Sequence, residues 1–217
     1  MSENKKIASI LKDALVLCLI TLVAAVLLGF VNEMTKDRIA QQKTEKKEAA
    51  YREVYPEAAS IVMEDAAMAE KVLSSGELLE ENGFERISID EAGLALDASG
   101  KLLGYVMTIT TKKGYGGAIT MTMGYRLDGA ITGIAFITLN ETPGFGMRAN
   151  EAEFKEQFVG KNAFELIYVK TGATAENEID AISGATITTK AVTSAVNAGL
   201  CFSADMVVSG IGGAGNE

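Results

Sequence analysis

The sequence predicts an α+β protein: a single N-terminal transmembrane helix, then a domain with a small antiparallel sheet and packed helices. Three observations predict it. Residues 14–31, ALVLCLITLVAAVLLGFV, form an uncharged apolar run. Residues 94–139 hold short stretches of alternating apolar and polar character between turn signals. Residues 188–202 repeat apolar side chains at the helical period.

The elements follow in order. Residues 1–13 make a short N-terminal segment. At about 1.5 Å per residue, the run 14–31 is about 27 Å long, close to a hydrocarbon core of about 30 Å. A buried soluble helix of that length shows a polar face, and none appears here. A cleaved signal peptide fits less well. The run exceeds the usual apolar region, and Asn32, Glu33 and Met34 follow it rather than a small-x-small cleavage site. Lys5, Lys6 and Lys12 precede the run and Lys36, Arg38, Lys43, Lys46, Lys47 and Arg52 follow it. A bare count favours an outside N-terminus, but long domains translocate largely regardless of charge, so charge alone leaves the orientation open.

Residues 32–92 read as a helical stalk and an acidic connecting segment. Glu48 and Arg52 stand in the favourable i,i+4 order, and Pro56 stops the stalk. Helical patterning over 57–81 is weak. The main domain is expected over 93–205, with the β-rich part beginning near Leu94. Ala98-Ser99-Gly100 forms a turn, and 101–111 forms a strand. Residues 118–126 alternate as a half-buried strand, with Ile119, Met121, Met123 and Tyr125 on one face. Leu127-Asp128-Gly129-Ala130 turns the chain into a partner strand over 131–139. A helix over 151–159 pairs Phe154 with Phe158 and stops at Gly160. A strand over 164–170 and a helix over 188–202 follow, the latter turning Val192, Ala195, Val196, Gly199 and Leu200 inward. Residues 206–217 form a Gly-rich tail.

Composition narrows the function. The chain of 217 residues carries 29 acidic against 20 basic side chains, a net charge of −9. Nucleic-acid binding needs a basic footprint and is excluded as a class. There is no His, so the commonest general base and metal ligand are missing. Cys18 and Cys201 give neither a disulfide framework nor a metal ligand set. A chain so poor in catalytic side chains binds something or borrows its chemistry from a cofactor.

The informative string is Asp180-Ala181-Ile182-Ser183-Gly184-Ala185-Thr186-Ile187-Thr188-Thr189. A loop of small residues runs straight into a helix, whose unpaired N–H groups and dipole favour a phosphate. The hydroxyls of Ser183 and Thr188 can add hydrogen bonds, and Thr189 belongs to the same first turn. Thr171-Gly172-Ala173-Thr174 repeats part of the string. Tyr168 stands three residues before it, however, and acidic residues follow it. That second copy reads as a turn after a strand.

At this point the sequence resembles the FMN-binding domain family, whose flavin-attachment motif is D-x-x-[ST]-G-A-T. Asp180, Ser183, Gly184, Ala185 and Thr186 match it. The resemblance implies that a flavin transferase moves FMN from FAD onto Thr186 as a phosphoester. Tyr115, Gly116 and Gly117, within Gly114-Tyr115-Gly116-Gly117, resemble the family's GYGG segment. Glu141, Thr142, Gly144, Phe145 and Gly146 resemble its ETPG-[LF]-G loop, with Glu141, Thr142 and Phe145 implied to face the isoalloxazine. Family members often carry His just before that loop; Leu139-Asn140 stand there instead.

Anchor, stalk and domain together resemble the G-subunit family of the Rnf ion-translocating ferredoxin:NAD oxidoreductase, related to the C subunit of the Na⁺-translocating NADH:quinone reductase. The resemblance implies a covalent-FMN electron-transfer component with no catalytic activity of its own. It would be single-pass in the cell membrane, with its N-terminus cytoplasmic and its main domain extracytoplasmic. The implied partners are the other Rnf subunits, the flavin transferase and membrane lipid. The rival readings are a single-span flavin-binding sensor, a solitary flavin electron shuttle and a tethered domain without cofactor.

Overall fold

The structure, a computed structural model, describes residues 3–63, 65–170 and 172–211. Thr171 of the second TGAT string and residues 212–217 of the tail lie outside the described residues. The chain divides into two units, residues 1–45 and 46–217.

Helix α1, Glu3–Val54, holds the whole apolar run. Its most apolar 18 residues have a mean hydropathy of 3.0, and none of them is buried. A helix with that many bare apolar side chains has no stable place in water, whereas in lipid its backbone hydrogen bonds are all internal. It is a transmembrane helix.

The second unit is built on a five-stranded antiparallel meander in the order β1-β2-β3-β4-β5. The strands are β1 Ser60–Val62, β2 Ile87–Leu96, β3 Leu102–Thr111, β4 Ile119–Arg126 and β5 Ile131–Thr138. Helices α2, Ala66–Glu81, and α4, Thr186–Val208, cover one face. The apolar face of β4 read from the sequence meets α4 in the main core, with Ile119, Met121 and Met123 fully buried. Gly199 lets α4 come down on the sheet: a Cβ there would lie 2.7 Å from Ile109 and from Met123.

The opposite face was expected to be solvated and is not. Thr122 is fully buried, because the last turns of α1 lie on it. Ala50, Tyr51, Val54 and Tyr55 pack there against Ala95, Val106 and Ala135. Glycines make the room. A Cβ on Gly104 would stand 2.8 Å from the Tyr55 hydroxyl, and one on Gly124 2.7 Å from the Val54 carbonyl. The Thr132 hydroxyl donates to that same carbonyl, satisfying one orphan acceptor of the helix end. Tyr51 hydrogen-bonds Thr108 at 2.8 Å. The Tyr55 hydroxyl is buried without a partner, and burial pushes its pKa up to about 12.

Several elements differ from expectation. The β region begins well before Leu94. β1 was missed, and so were the first residues of β2, which starts at Ile87; a bulge between Ile89 and Glu91 breaks the alternation there. The weakly patterned 57–81 stretch contains a regular helix, α2, capped by Asp65 accepting from the Met68 N–H at 2.9 Å. Only Met68, Ser75 and Leu79 of it are buried, too few to mark a stripe. The helix expected over 151–159 is a single turn, α3 Ala152–Lys155, between 3-10 turns at Gly146–Asn150 and Glu156–Phe158. Phe154 and Phe158 still meet, edge to face at 5.4 Å. The strand expected over 164–170 shrinks to β6, Ile167–Val169, which pairs in parallel with β7, Glu178–Asp180, outside the main sheet. Helix α4 starts two residues earlier than expected, at Thr186.

The second face makes a paired prediction. Gly124→Ala drives a methyl into the Val54 carbonyl and is expected to cost roughly 1–3 kcal/mol. Tyr55→Phe removes a hydroxyl that bonds nothing and is expected to be neutral or stabilising. Thermal unfolding of the full chain in detergent checks both. Equal losses from the two substitutions would refute this account of the glycine stripe.

Candidate functional site

The candidate site lies where α4 begins. Asp180 ends β7, and the chain then turns through Ile182-Ser183-Gly184-Ala185, closed by Ala185 N–H to the Ile182 carbonyl at 2.9 Å. Gly184 holds φ +76°, a left-handed value costly for any residue with a Cβ, and a Cβ there would lie 2.8 Å from the Phe145 ring. Thr189 fastens the turn from below. Its hydroxyl accepts from Ile182 N–H at 3.1 Å and donates to the Ala185 carbonyl at 3.0 Å. Ala185 is the N-cap residue, so Thr186 is the first residue of the helix.

This start leaves a donor cluster open. Thr189 N–H reaches back to the Ala185 carbonyl at 3.0 Å. The N–H groups of Thr186, Ile187 and Thr188 have no acceptor among the described residues. Three outward N–H groups with the helix dipole behind them suit an anion.

In front of them opens a cleft of about 460 Å³, within the range of roughly 300–1,000 Å³ usual for small-molecule sites. Tyr115, Glu141, Thr142, Phe145 and Gly146 form one wall; Gly184, Ala185, Thr186, Ile187 and Thr188 form the other. Three strings far apart in sequence therefore meet around Thr186.

Glu141 ties them together. It is only 7% exposed. One carboxylate oxygen accepts from Gly116 N–H at 3.1 Å and the other from the Thr188 hydroxyl at 2.9 Å. Glycines leave room for this side chain. A Cβ on Gly114 would stand 2.8 Å from its Oε1, and one on Gly146 2.7 Å from its Oε2. The loop after Glu141 closes on itself, with the N–H groups of Phe145 and Met147 both donating to the Thr142 carbonyl. Tyr115, Phe145 and Ile187 stay at least half exposed, at 70%, 52% and 53%. They offer flat apolar surface beside the phosphate-suited helix start. A phosphate-bearing planar ring such as FMN fits this donor set and these surfaces.

Not every predicted residue faces the cleft. Asp180 turns away: its Oδ1 accepts from Ala173 N–H at 2.7 Å, and its own N–H donates to Gln157. Ser183 is exposed on the turn. Gly117 and Gly144 supply left-handed backbone, at φ +135° and +76°. Gly116 acts through its N–H. Ile187 lines the cleft and was not foreseen; an exposed apolar residue in the first turn of a helix was the available signal. In the second TGAT string, the backbone and hydroxyl of Thr174 are engaged by Glu178. The N–H groups of Thr174 and Ala175 hold that carboxyl below its usual range.

Comparison with known proteins agrees with this geometry. Residues 114–200 match the FMN-binding domain family, and residues 1–54 match the RnfG N-terminal region. The chain is 36% identical over 190 residues to the G subunit of the Na⁺-translocating ferredoxin:NAD⁺ oxidoreductase complex of Acetobacterium woodii, covering 87% of this chain and 88% of that one. It is 29% identical over 203 residues to the G subunit of the ion-translocating oxidoreductase complex of Methanosarcina acetivorans, covering 93% and 97%. Among solved structures, the C subunit of the Na⁺-translocating NADH-quinone reductase from Parabacteroides distasonis shares the fold, with a TM-score of 0.52 at 19% identity, over 78% of this chain and 95% of that one. With an FMN-binding domain behind an N-terminal region of this kind, and relatives matched along nearly their whole length, the chain belongs to the G-subunit family of ion-translocating oxidoreductase complexes.

Proposed function

We propose that this chain is the covalent-FMN electron-transfer component of a membrane-bound ferredoxin:NAD⁺ oxidoreductase that couples electron flow to Na⁺ or H⁺ movement, with the flavin esterified through its phosphate to Thr186. The observation that carries the attachment is the position of Thr186, first residue of α4 and in the wall of the cleft. The relatives' names carry the complex.

FMN, when bound, supplies the one-electron chemistry that the side chains lack. The protein does the rest. The N–H groups of Thr186, Ile187 and Thr188 receive the phosphate, with no lysine or arginine among the lining residues. Glu141 holds the Tyr115 loop against α4 and keeps the cleft in one shape. Tyr115, Phe145 and Ile187 would offer their exposed apolar surface to the ring. The second TGAT string lacks this setting, because the charged Glu178 beside Thr174 repels a phosphate.

The family resemblance supports an extracytoplasmic position for the domain, beyond the α1 span. There a flavin transferase would complete it, and the other subunits of the complex would exchange electrons with it. An ester bond keeps the cofactor in place whatever the outside concentration of flavin.

Flavin fluorescence on a denaturing gel, followed by peptide mapping, tests the attachment. The fluorescent peptide is expected to contain Thr186. Thr186→Val should abolish the band and Thr174→Val should keep it; the opposite pattern would overturn the assignment. Gly184→Ala strains the turn by about 1–2 kcal/mol and meets the Phe145 ring, so flavin loading should fall while the domain stays folded. Glu141→Ala leaves the buried Thr188 hydroxyl without its partner, an expected cost of roughly 1–3 kcal/mol, and releases the Gly116 N–H, which is exposed and turns to water. A drop in melting temperature together with reduced loading checks it.

A further inference from the structure

A larger groove runs along the flank of α4, beginning one helical turn past Thr186. Its volume is about 1050 Å³, and its lining includes Lys113, Lys190, Phe164, Tyr168, Thr193 and Asn197. No part of the cofactor cleft lines it.

One wall is a strand edge. β6 pairs only with β7. Ile167 donates its N–H to Asn177, and Val169 accepts from Ala181, so both residues spend their backbone groups on the β7 side. In a parallel ladder the residues between them direct N–H and C=O to the other edge. Leu166 shows this. Its N–H and C=O bond the Asn197 carboxamide, each at 2.9 Å, as they would bond a neighbouring strand. Tyr168, two residues on, has the same orientation, and its backbone groups have no partner among the described residues. Asn197 therefore occupies the first place of a missing strand and leaves the next one open.

The chemistry beside that edge is specific. Lys113 and Lys190 line the groove with a single carboxylate, Glu165, and neither lysine forms an ion pair among the described residues. This is a basic place on a chain of net charge −9. The Thr193 hydroxyl is buried in the groove wall with no hydrogen-bond partner. Phe164 stands 99% exposed at the margin. A lone strand edge takes an extended backbone, and unpaired lysines take a carboxylate.

We propose that this groove docks an extended, carboxylate-bearing segment of another protein of the membrane complex, which adds as a strand beside Tyr168 and pairs with Lys113 and Lys190. The inference rests on the complex named under the proposed function, and it adds where a partner attaches. Lys113 immediately precedes the Gly114-Tyr115 string, and Lys190 follows Thr186 by one turn. A segment held there sits beside the cofactor cleft without entering it.

The test places the photo-cross-linker benzoyl-phenylalanine at Phe164 in the full chain, within membranes that contain the assembled complex. The same probe at Leu73, 86% exposed on α2 and outside the groove, reports background. Cross-linked peptides are sequenced. The expected product joins Phe164 to an acidic segment of a different protein of the complex. In the doubly charge-reversed variant, K113E with K190E, its yield should fall about tenfold or more, because like charges now face each other. Flavin fluorescence of the same samples separates the two readings: loss of flavin in the unmodified chain refutes the cofactor assignment, whereas retained flavin with a failed cross-link refutes the groove. Cross-links to lipid, to a second copy of this chain or to nothing would overturn the proposal. So would a cross-link to another protein of the complex whose yield ignores the charge reversal while flavin loading is intact.

Discussion

The close seating of α4 on the sheet is the contact on which the other features depend. Gly199 lets the helix approach Ile109 and Met123 without a gap, and Val192, Ala195 and Val196 fill the interface completely. Once the helix is pinned along its length, the place and direction of its first turn are fixed. That turn lines the candidate cleft. The same helix serves as core element and as a wall of the candidate cleft, and its two parts divide along its axis rather than around it.

A second constraint acts at right angles to the first. Glu141 comes from the loop after β5, Gly116 from the loop before β4 and Thr188 from α4, and one buried carboxylate holds all three. Buried acceptors are stable only when paired, so these loops are bound to move together or not at all. The arrangement supplies a rigid cleft from segments that are individually irregular. Glycines at 114 and 146 show how tightly the carboxylate is enclosed.

The sequence made some of this visible and hid the rest for physical reasons. The span was readable because 18 uncharged residues admit few alternatives, and the β4–β5 hairpin because its alternation is clean on the core side. The FMN-binding domain was readable because the string at the start of α4 is long and specific. The second covered face was hidden: Thr122 and Gly124 look like solvent positions until α1 is laid across them. β2 was obscured by its bulge and α2 by its few buried side chains. β6 was read too long, and β7 and its pairing were not read at all, because three residues paired in parallel leave no periodicity. Asp180 was legible as part of the motif, but its direction was not; it braces a neighbouring turn instead of facing the cleft.

The glycine stripe under the end of α1 bears on how the protein can be cut. The region matching the FMN-binding family starts at residue 114, yet the folded unit begins near Lys46. A fragment trimmed to the family match would lose β1, α2, β2 and β3 together. It would also uncover Ala135 and the glycine-lined strands that α1 now shelters. Such a sheet, with a small-residue face and open edges, invites pairing with its own copies. The shortest piece expected to remain soluble therefore keeps the last turns of the membrane helix, which work as part of the water-exposed domain rather than as a tether to it.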